Sequence, residues 1–275
     1  MSTLPMRFNR YFICGIDGTV DHFLGIKNNM EANQRDYDAK FARSFVRQLC
    51  NVGDSSRYFR GPATTGSGLG YAMENAVTAI AQRYRNDCAQ HLRTRKDCYD
   101  PDNCAYVLTG DSRGAAGIIE VATRLQGSPV TKGAVHVAGA VTLSPAAMLV
   151  PNYANPRSII TGSRMIPSDV ENCVHYIRGD DTDSRSGTMA KYKGGPSDPG
   201  KTSYKAMSFK ATHGGLGGLP YFTGTGEGNN IPILKPGSAF ATNVTMAEDM
   251  KASRDVAKHA TTFCSRLGSP CSLGV

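Results

Sequence analysis

One stretch of the chain reads Cys104-Ala-Tyr-Val-Leu-Thr-Gly-Asp-Ser-Arg-Gly-Ala-Ala-Gly-Ile-Ile-Glu-Val-Ala-Thr-Arg-Leu125. It begins with a short apolar run typical of a buried strand and ends with apolar residues at helical spacing. Between these two patterns, Gly110-Asp-Ser-Arg-Gly114 matches G-x-S-x-G, the sequence of a nucleophile elbow. The sequence therefore predicts that a strand turns sharply into a helix at Ser112, whose hydroxyl points away from both.

A helix that begins directly after a serine also supplies the electrostatics that acyl transfer needs. Its first N–H groups and its positive dipole end point to the place where an oxyanion would develop. In such elbows one donor is the N–H of the residue after the nucleophile, here Arg113, and another comes from the loop after an earlier strand. We predict that Asp17 and Gly18, which follow the first predicted strand, supply that other donor.

The composition is that of a globular protein that carries an excess of positive charge. The chain has 275 residues, of which 40% are hydrophobic and 20% charged, and this length suits one α/β domain over residues 1–275. A net charge of +8 favours anionic partners such as a phospholipid surface. The Lys and Arg residues are scattered and lack a basic–aromatic pattern, so we expect no nucleic-acid partner. The N-terminal residues show no Sec-type signal peptide.

Apolar strand-like runs alternate with helical patterns along the chain. The predicted strands cover residues 10–16, 57–60, 105–108, 134–143, 174–177 and 203–210, and the other predicted helices cover 36–50, 71–92 and 245–263. This alternation predicts an α/β fold with a mostly parallel central sheet and helices on both faces. The polar segment 184–202, rich in Gly, Ser, Lys and Pro, is predicted to be a surface loop or lid.

A serine nucleophile needs a base, and His213 is the candidate. In α/β-hydrolases the triad follows the chain order Ser, acid, His, which excludes His22 and His91. Two other histidines, His136 and His175, lie in predicted strands, and His259 lies in a predicted surface helix. His213 follows a predicted strand in a glycine-rich loop, where a substrate or the serine could approach closely.

The acid should lie between Ser112 and His213 at the end of a strand. Gly179-Asp-Asp-Thr-Asp183 meets this condition and offers three carboxylates. We favour Asp181, with Asp183 and Asp180 as alternatives, and Asp169 is a weaker candidate outside this segment. Because the ends of parallel strands meet at one edge of a sheet, these loops are predicted to converge there.

A second motif points to a different chemistry. Gly195-Pro-Ser-Asp-Pro-Gly-Lys-Thr202 matches the P-loop pattern G-x-x-x-x-G-K-[ST], which would indicate a nucleotide-dependent enzyme that uses Lys201. A P-loop needs a buried strand before it and a helix after it, whereas here the preceding segment is polar and the following one is predicted to be extended. The hydrolase interpretation needs no metal and no organic cofactor.

Three motifs stand in a fixed order along the chain: Gly15-Ile-Asp-Gly-Thr19, Gly110-Asp-Ser-Arg-Gly-Ala115 and His213-Gly-Gly-Leu-Gly-Gly218. Together they resemble the α/β-hydrolase family that includes the type VI secretion lipase effectors, which are toxins. The resemblance implies an esterase or phospholipase acting on lipids or small esters, with Ser112 as nucleophile, His213 as base and an Asp between them.

The same resemblance implies partners and a location. An anionic membrane surface and an immunity or delivery protein are the expected partners. The protein would be cytoplasmic, or exported by a specialised secretion system. The alternative function is a catalytically inactive α/β-hydrolase scaffold that acts as a binding or toxin-accessory module, because a fold does not by itself imply activity.

Overall fold

The structure is a computed structural model of the chain. It describes residues 8, 10–19, 37–39, 41–51, 56–62, 68–96, 99–128, 131, 135, 137–143, 146–147, 165–179, 190–191, 195–220, 232–234, 242–268 and 271–275.

Six parallel strands form the central sheet. They are β1 Arg10–Ile16, β2 Ser56–Phe59, β3 Cys104–Asp111, β4 Val137–Leu143, β5 Asn172–Arg178 and β6 Ser203–Phe209. Their spatial order is β2-β1-β3-β4-β5-β6, and each neighbouring pair is parallel. The order reverses between β1 and β3, and in open α/β sheets ligands bind at such a reversal, beyond the carboxyl ends of the strands.

Helices cover both faces of this sheet. They are α1 Phe45–Cys50, α2 Leu69–Thr94, α3 Arg113–Gln126, the single turn α4 His213–Leu216 and α5 Met246–Arg266. On one face, α2 and α3 pack with apolar side chains of β1 and β3 such as Phe12 and Leu108. On the other face, α1 and α5 pack with the intervening side chains of the same strands, including Ile13 and Val107. The predicted fold class, α/β and α/β-hydrolase-like with a mostly parallel sheet covered on both faces, is confirmed.

The position of each strand follows from its composition. All eight residues of β3 and all seven of β4 are buried, as expected for central strands covered on both faces. The outermost strands differ: β2 has only four residues, and every residue of β6 is exposed or half-buried. The side chains of β6 that pack against the core are Tyr204, Met207 and Phe209.

Outside the sheet, the structure corrects two predicted segments. The helix predicted over 36–50 is interrupted: residues 37–39 are helical, residues 41–43 form a turn, and α1 begins at Phe45, where the Ser44 side chain caps it by accepting a hydrogen bond from the Arg47 N–H. The segment 184–202 is not loop throughout, since Ala190–Lys191 pairs antiparallel with Ala146–Ala147. Residues 184–189 and 192–194 lie outside the described residues, so the lid remains a prediction.

Two smaller elements complete the described structure. Pro232–Leu234 and Thr242–Thr245 pair antiparallel, and Pro101–Asn103 forms a 3-10 turn before β3. A capping box starts the last helix, with Thr245 and Glu248 each accepting a hydrogen bond from the other's backbone N–H. Of the helices in the described part of the chain, none is both long and apolar enough to span a membrane.

Candidate active site

Ser112 occupies the turn between β3 and α3 in a strained backbone conformation. Its φ is 55° and its ψ is −123°, a region that costs a residue with a side chain about 1–3 kcal/mol. Its side chain is almost fully buried, and Oγ makes no hydrogen bond with any described residue. The Ser112 N–H donates to the carbonyl of Leu143 at 2.9 Å, which ties the turn to the end of β4. The strained strand-to-helix turn at Ser112 fits the predicted nucleophile elbow, whereas the burial of Oγ differs from it, because the hydroxyl of such an elbow is exposed at the edge of the sheet.

Glycines let the start of α3 approach two other segments. A Cβ atom at Gly110 would lie 2.6 Å from the Gly114 carbonyl oxygen, and one at Gly114 would overlap the carbonyl oxygens of Ile16 and Asp17. The first turn of α3 therefore packs directly on the end of β1. The Arg113 Nε–H strengthens this junction by donating to Thr19 Oγ1 at 2.7 Å. The elbow and the turn after β1 thus lie side by side, as the sequence predicts for the two halves of an oxyanion hole.

The N–H groups of Asp17 and Gly18 are already donated within this region. The Asp17 N–H donates to the carbonyl of Phe59 at 3.1 Å, and the Gly18 N–H donates to Asp17 Oδ1 at 2.8 Å. These bonds do not support the prediction that either group is an oxyanion donor. Within the described residues, by contrast, the N–H of Thr19 donates no hydrogen bond.

Asp17, whose backbone N–H was the predicted oxyanion donor, also carries a fully buried carboxyl. Its Oδ2 accepts hydrogen bonds from the hydroxyls of Ser44 and Tyr58, the latter at 3.0 Å. Burial nevertheless raises the pKa of Asp17 to about 6, because the loss of water outweighs these hydrogen bonds. Ser44 therefore serves both as the cap of α1 and as a partner of the turn after β1.

His213 is the first residue of α4, which follows β6 at the carboxyl edge of the sheet. The loop is anchored by Asp249 of α5, a fully buried residue whose carboxylate accepts from the Thr212 N–H at 2.7 Å and from the Thr212 hydroxyl at 2.8 Å. Gly215 lies directly against this carboxylate. Sequence reasoning missed Asp249, whose only signal was an acidic residue in the first turn of the last helix.

The chain after His213 folds back over the sheet edge toward Ser112. Strands β6 and β3 are three positions apart, roughly 14 Å at the usual strand spacing. Gly217 nevertheless reaches α1, where its carbonyl accepts from the Phe45 N–H at 2.9 Å, and a Cβ atom at Gly217 would lie 3.0 Å from Asp111 Oδ1. The His213 loop and the elbow therefore share one edge of the sheet. The structure contains no direct hydrogen bond between Ser112 and His213, and such bonds often form only when substrate binds.

The other described histidines lie away from this edge. His175 is buried in β5, where its Nδ1 lies 2.9 Å from the Tyr204 hydroxyl and burial lowers its pKa to about 4. His259 lies on α5 beside Lys205, over a face of the sheet. His91 lies in the last turn of α2, at the opposite edge. His22 and His136 are outside the described residues.

The structure separates the candidate acids. Asp169 lies beside Val170, which bridges to the first residue of β4, so it is at the amino edge of the sheet and is a wrong candidate for the triad. Asp180, Asp181 and Asp183 lie outside the described residues. The residue before them is described: the Gly179 N–H donates to the carbonyl of Phe209 at 2.8 Å. The segment that carries the three carboxylates thus starts beside the end of β6, four residues before His213.

The P-loop match does not have P-loop structure. Thr202 is followed directly by strand β6, where a P-loop requires a helix. The Lys201 ammonium lies 3.5 Å from the Asp198 carboxylate, its neighbour in the same turn. Among the described residues, no cluster of three or more His, Cys, Asp or Glu side chains could hold a metal ion.

Comparison with known proteins adds only distant similarities. No protein-family model and no curated protein matches the sequence. Among solved structures, the chain is similar to a Tle1 effector bound to the VgrG spike of a type 6 secretion system, with 15% identity, a TM-score of 0.39 and coverage of 81% of this chain and 53% of that one. It is also similar to an uncharacterized protein from Pseudomonas aeruginosa, with 12% identity, a TM-score of 0.43 and coverage of 96% and 47%. A cutinase-like protein from Cryptococcus sp. shows 14% identity and a TM-score of 0.34, with coverage of 98% and 99%. The chain thus spans about half the length of the first two.

Proposed function

We propose that the protein is a serine hydrolase that cleaves carboxylic esters through Ser112. The observation that carries this proposal is the backbone of Ser112, which is held at a φ of 55° on a strand-to-helix turn with a hydroxyl that no described residue binds. A protein retains such strain only where the surrounding structure enforces it, and strain of this kind clusters at active sites. The turn also lies beside the reversal of strand order, where α/β sheets bind their ligands.

The proposed reaction has two steps. Ser112 Oγ attacks the acyl carbon while His213 accepts the hydroxyl proton, and the alcohol leaves with that proton to give an acyl-enzyme. A water molecule then attacks the acyl carbon of the acyl-enzyme and gives a proton to His213; the bond to Ser112 Oγ breaks, the carboxylic acid leaves, and Oγ takes the proton back from His213. Asp181 would orient the imidazole of His213, with Asp180 and Asp183 as alternatives. The start of this acidic segment beside Phe209 and the return of the His213 loop to the elbow both support this arrangement.

For the oxyanion, we propose the N–H groups of Arg113 and Thr19 as donors. Arg113 follows the nucleophile at the start of α3, where the helix dipole favours negative charge. Thr19 replaces Asp17 and Gly18 in this role because their N–H groups are already donated, whereas that of Thr19 is not. The hydrogen bond from the Arg113 side chain to the Thr19 hydroxyl holds the two donors together.

The proposed substrates are lipid esters, which the motif resemblance implies and the charge favours. A net charge of +8 would attract the protein to anionic bilayers, and this attraction weakens as salt screens it. We expect binding to liposomes of phosphatidylglycerol at low ionic strength and its loss at high ionic strength. Equal binding to neutral phosphatidylcholine liposomes would contradict the role of charge. The delivery or immunity protein that the resemblance implies remains a prediction.

Covalent labelling tests the nucleophile. A fluorophosphonate probe should label the protein at Ser112, as located by mass spectrometry of the modified peptide. Ser112→Ala should abolish labelling, whereas Ser203→Ala, which changes an exposed serine at the start of β6, should retain it. A folded protein that is never labelled and hydrolyses none of a panel of p-nitrophenyl esters and phospholipids would instead be the inactive scaffold named above.

A further inference from the structure

Asp111, the residue before the proposed nucleophile, is wedged between the two loops that complete the site. Its side chain is buried, and Oδ1 makes no hydrogen bond with a described residue. One carboxylate oxygen lies so close to Gly18 that a Cβ atom there would overlap it, and both oxygens lie about 3 Å from where a Cβ atom of Gly217 would be. Only glycines leave room for this carboxyl, and it touches the turn after β1 and the His213 loop at once.

The charged and titratable groups around Asp111 do not offset a negative charge on it. The turn after β1 contributes a second buried carboxyl, Asp17, and residues 37–39 contribute the Tyr37 hydroxyl, which donates to the carbonyl of Gly18 at 2.8 Å. The Arg113 guanidinium is bonded to Thr19, and no described ion pair includes Asp111. The described loop that carries Gly217 has one titratable residue in its helical turn, His213.

We propose that Asp111 is a positioning residue that supports ester hydrolysis only in its protonated form, and that its ionisation sets the alkaline limit of activity. The inference rests on the proposed function. A neutral carboxyl fills the space between the Gly18 turn and Gly217 and keeps the His213 loop against the elbow. An ionised carboxyl would add negative charge beside Ser112, where the tetrahedral intermediate also becomes negative, and like charges in a water-poor site repel strongly.

The surroundings favour the protonated form under ordinary conditions. Burial, and next the charge of Asp17, raise the pKa of Asp111 well above its usual range and outweigh the hydrogen bond from the Ser112 backbone, which lowers it. Asp17 itself ionises near pH 6, so above that pH its charge opposes the ionisation of Asp111. Removing the charge of Asp17 should therefore let Asp111 ionise at a lower pH, an outcome that a purely structural role for either residue would not produce.

The test is the pH profile of kcat/KM for a p-nitrophenyl ester, measured on the full chain. Wild-type protein should lose at least about tenfold in kcat/KM on the alkaline side, the size expected from removing a favourable electrostatic contribution. In Asp111→Asn this alkaline loss should be absent relative to the variant's own plateau. In Asp17→Asn the loss should begin at lower pH. Asp255→Asn, an exposed carboxyl on α5, is the matched control and should keep the wild-type profile.

An alkaline loss that persists in Asp111→Asn, or that stays in place in Asp17→Asn, would overturn the proposal. Infrared spectroscopy provides a readout that needs no activity: at pH 8, wild-type protein should show the carbonyl stretch of a protonated carboxylic acid that Asp111→Asn lacks. Absence of that band would also overturn the proposal. Because Ser112 labelling tests the hydrolase function separately, a protein with the infrared band but no labelling would refute the function and leave the protonation of Asp111 established.

Discussion

The strained backbone of Ser112 leads to a prediction in which loss of the nucleophile increases stability. Ser112→Gly should relieve a conformation that costs about 1–3 kcal/mol, because glycine adopts positive φ without a Cβ clash. Glycine also loses more backbone entropy on folding, which costs about 0.5–1 kcal/mol relative to alanine. Ser112→Ala removes the same buried hydroxyl but retains the strain, so it is the matched control. The glycine variant should therefore be more stable than the alanine variant by about 1 kcal/mol.

Urea unfolding of both variants, followed by circular dichroism, measures this difference. For a chain of this size, about 1 kcal/mol corresponds to roughly 2 °C in Tm, so the chemical midpoint at an unchanged m-value is the better measure. Both variants should be inactive and resist the fluorophosphonate probe. If the glycine variant proves less stable than the alanine variant, as at an ordinary helix position, Ser112 is not strained and the main support for the elbow fails.

Three further predictions concern the surroundings of the elbow. Thr19→Pro removes the proposed donor N–H and should lower kcat about 10²–10³-fold. Thr19→Ala keeps the N–H and loses only the hydrogen bond from Arg113, so it should lower kcat much less. Equal effects of the two substitutions on kcat would contradict the role of the N–H. Asp249→Ala should lower the free energy of unfolding by about 4 kcal/mol, because it leaves the buried N–H and hydroxyl of Thr212 without their acceptor. A loss below about 1 kcal/mol would show that Asp249 does not anchor the His213 loop. Because the pKa of Asp17 is raised to about 6, the stability that its protonated carboxyl contributes is lost as the pH rises from about 4 through 6. Over this range the difference in unfolding free energy between wild type and Asp17→Asn should shift by about 3 kcal/mol. A difference that stays constant with pH would contradict the raised pKa.

Local patterns predicted those parts of the molecule whose structure depends on neighbours in sequence. The elbow was predictable because an apolar run, two small residues and a helical repeat adjoin within 22 residues, from Cys104 to Leu125. The capping box at Thr245 and Glu248 was predictable for the same reason. The location of Asp17 and His213 at the same edge of the sheet was predictable because each follows a strand and parallel strands share one carboxyl edge.

The rest depends on partners that are distant in sequence. The helix predicted over 36–50 is broken before Phe45, where Ser44 both caps α1 and binds Asp17, 27 residues earlier. Asp249 anchors Thr212 across 37 residues, and no spacing rule indicates that pairing. The donor role predicted for Asp17 lost its support through the bond of its N–H to the Phe59 carbonyl, which only the alignment of β1 with β2 could reveal. The N–H of Gly18 is instead taken by the Asp17 carboxylate. Buried polar groups choose partners by their position in space, so one sequence without relatives does not disclose them.

The outer strands of the sheet affect how the molecule behaves at high concentration. An open parallel sheet has two margins, which are its edge strands. The unpaired backbone N–H and C=O groups of an edge strand can pair with a strand of another molecule, which is how sheets aggregate. One margin is β2, which at four residues provides too short a template. The other is the longer β6, which presents an exposed lysine, Lys205, near its middle, and bringing two such margins together would oppose like charges. Replacing that single lysine by an apolar β-branched residue would remove the repulsion and make the protein prone to self-association.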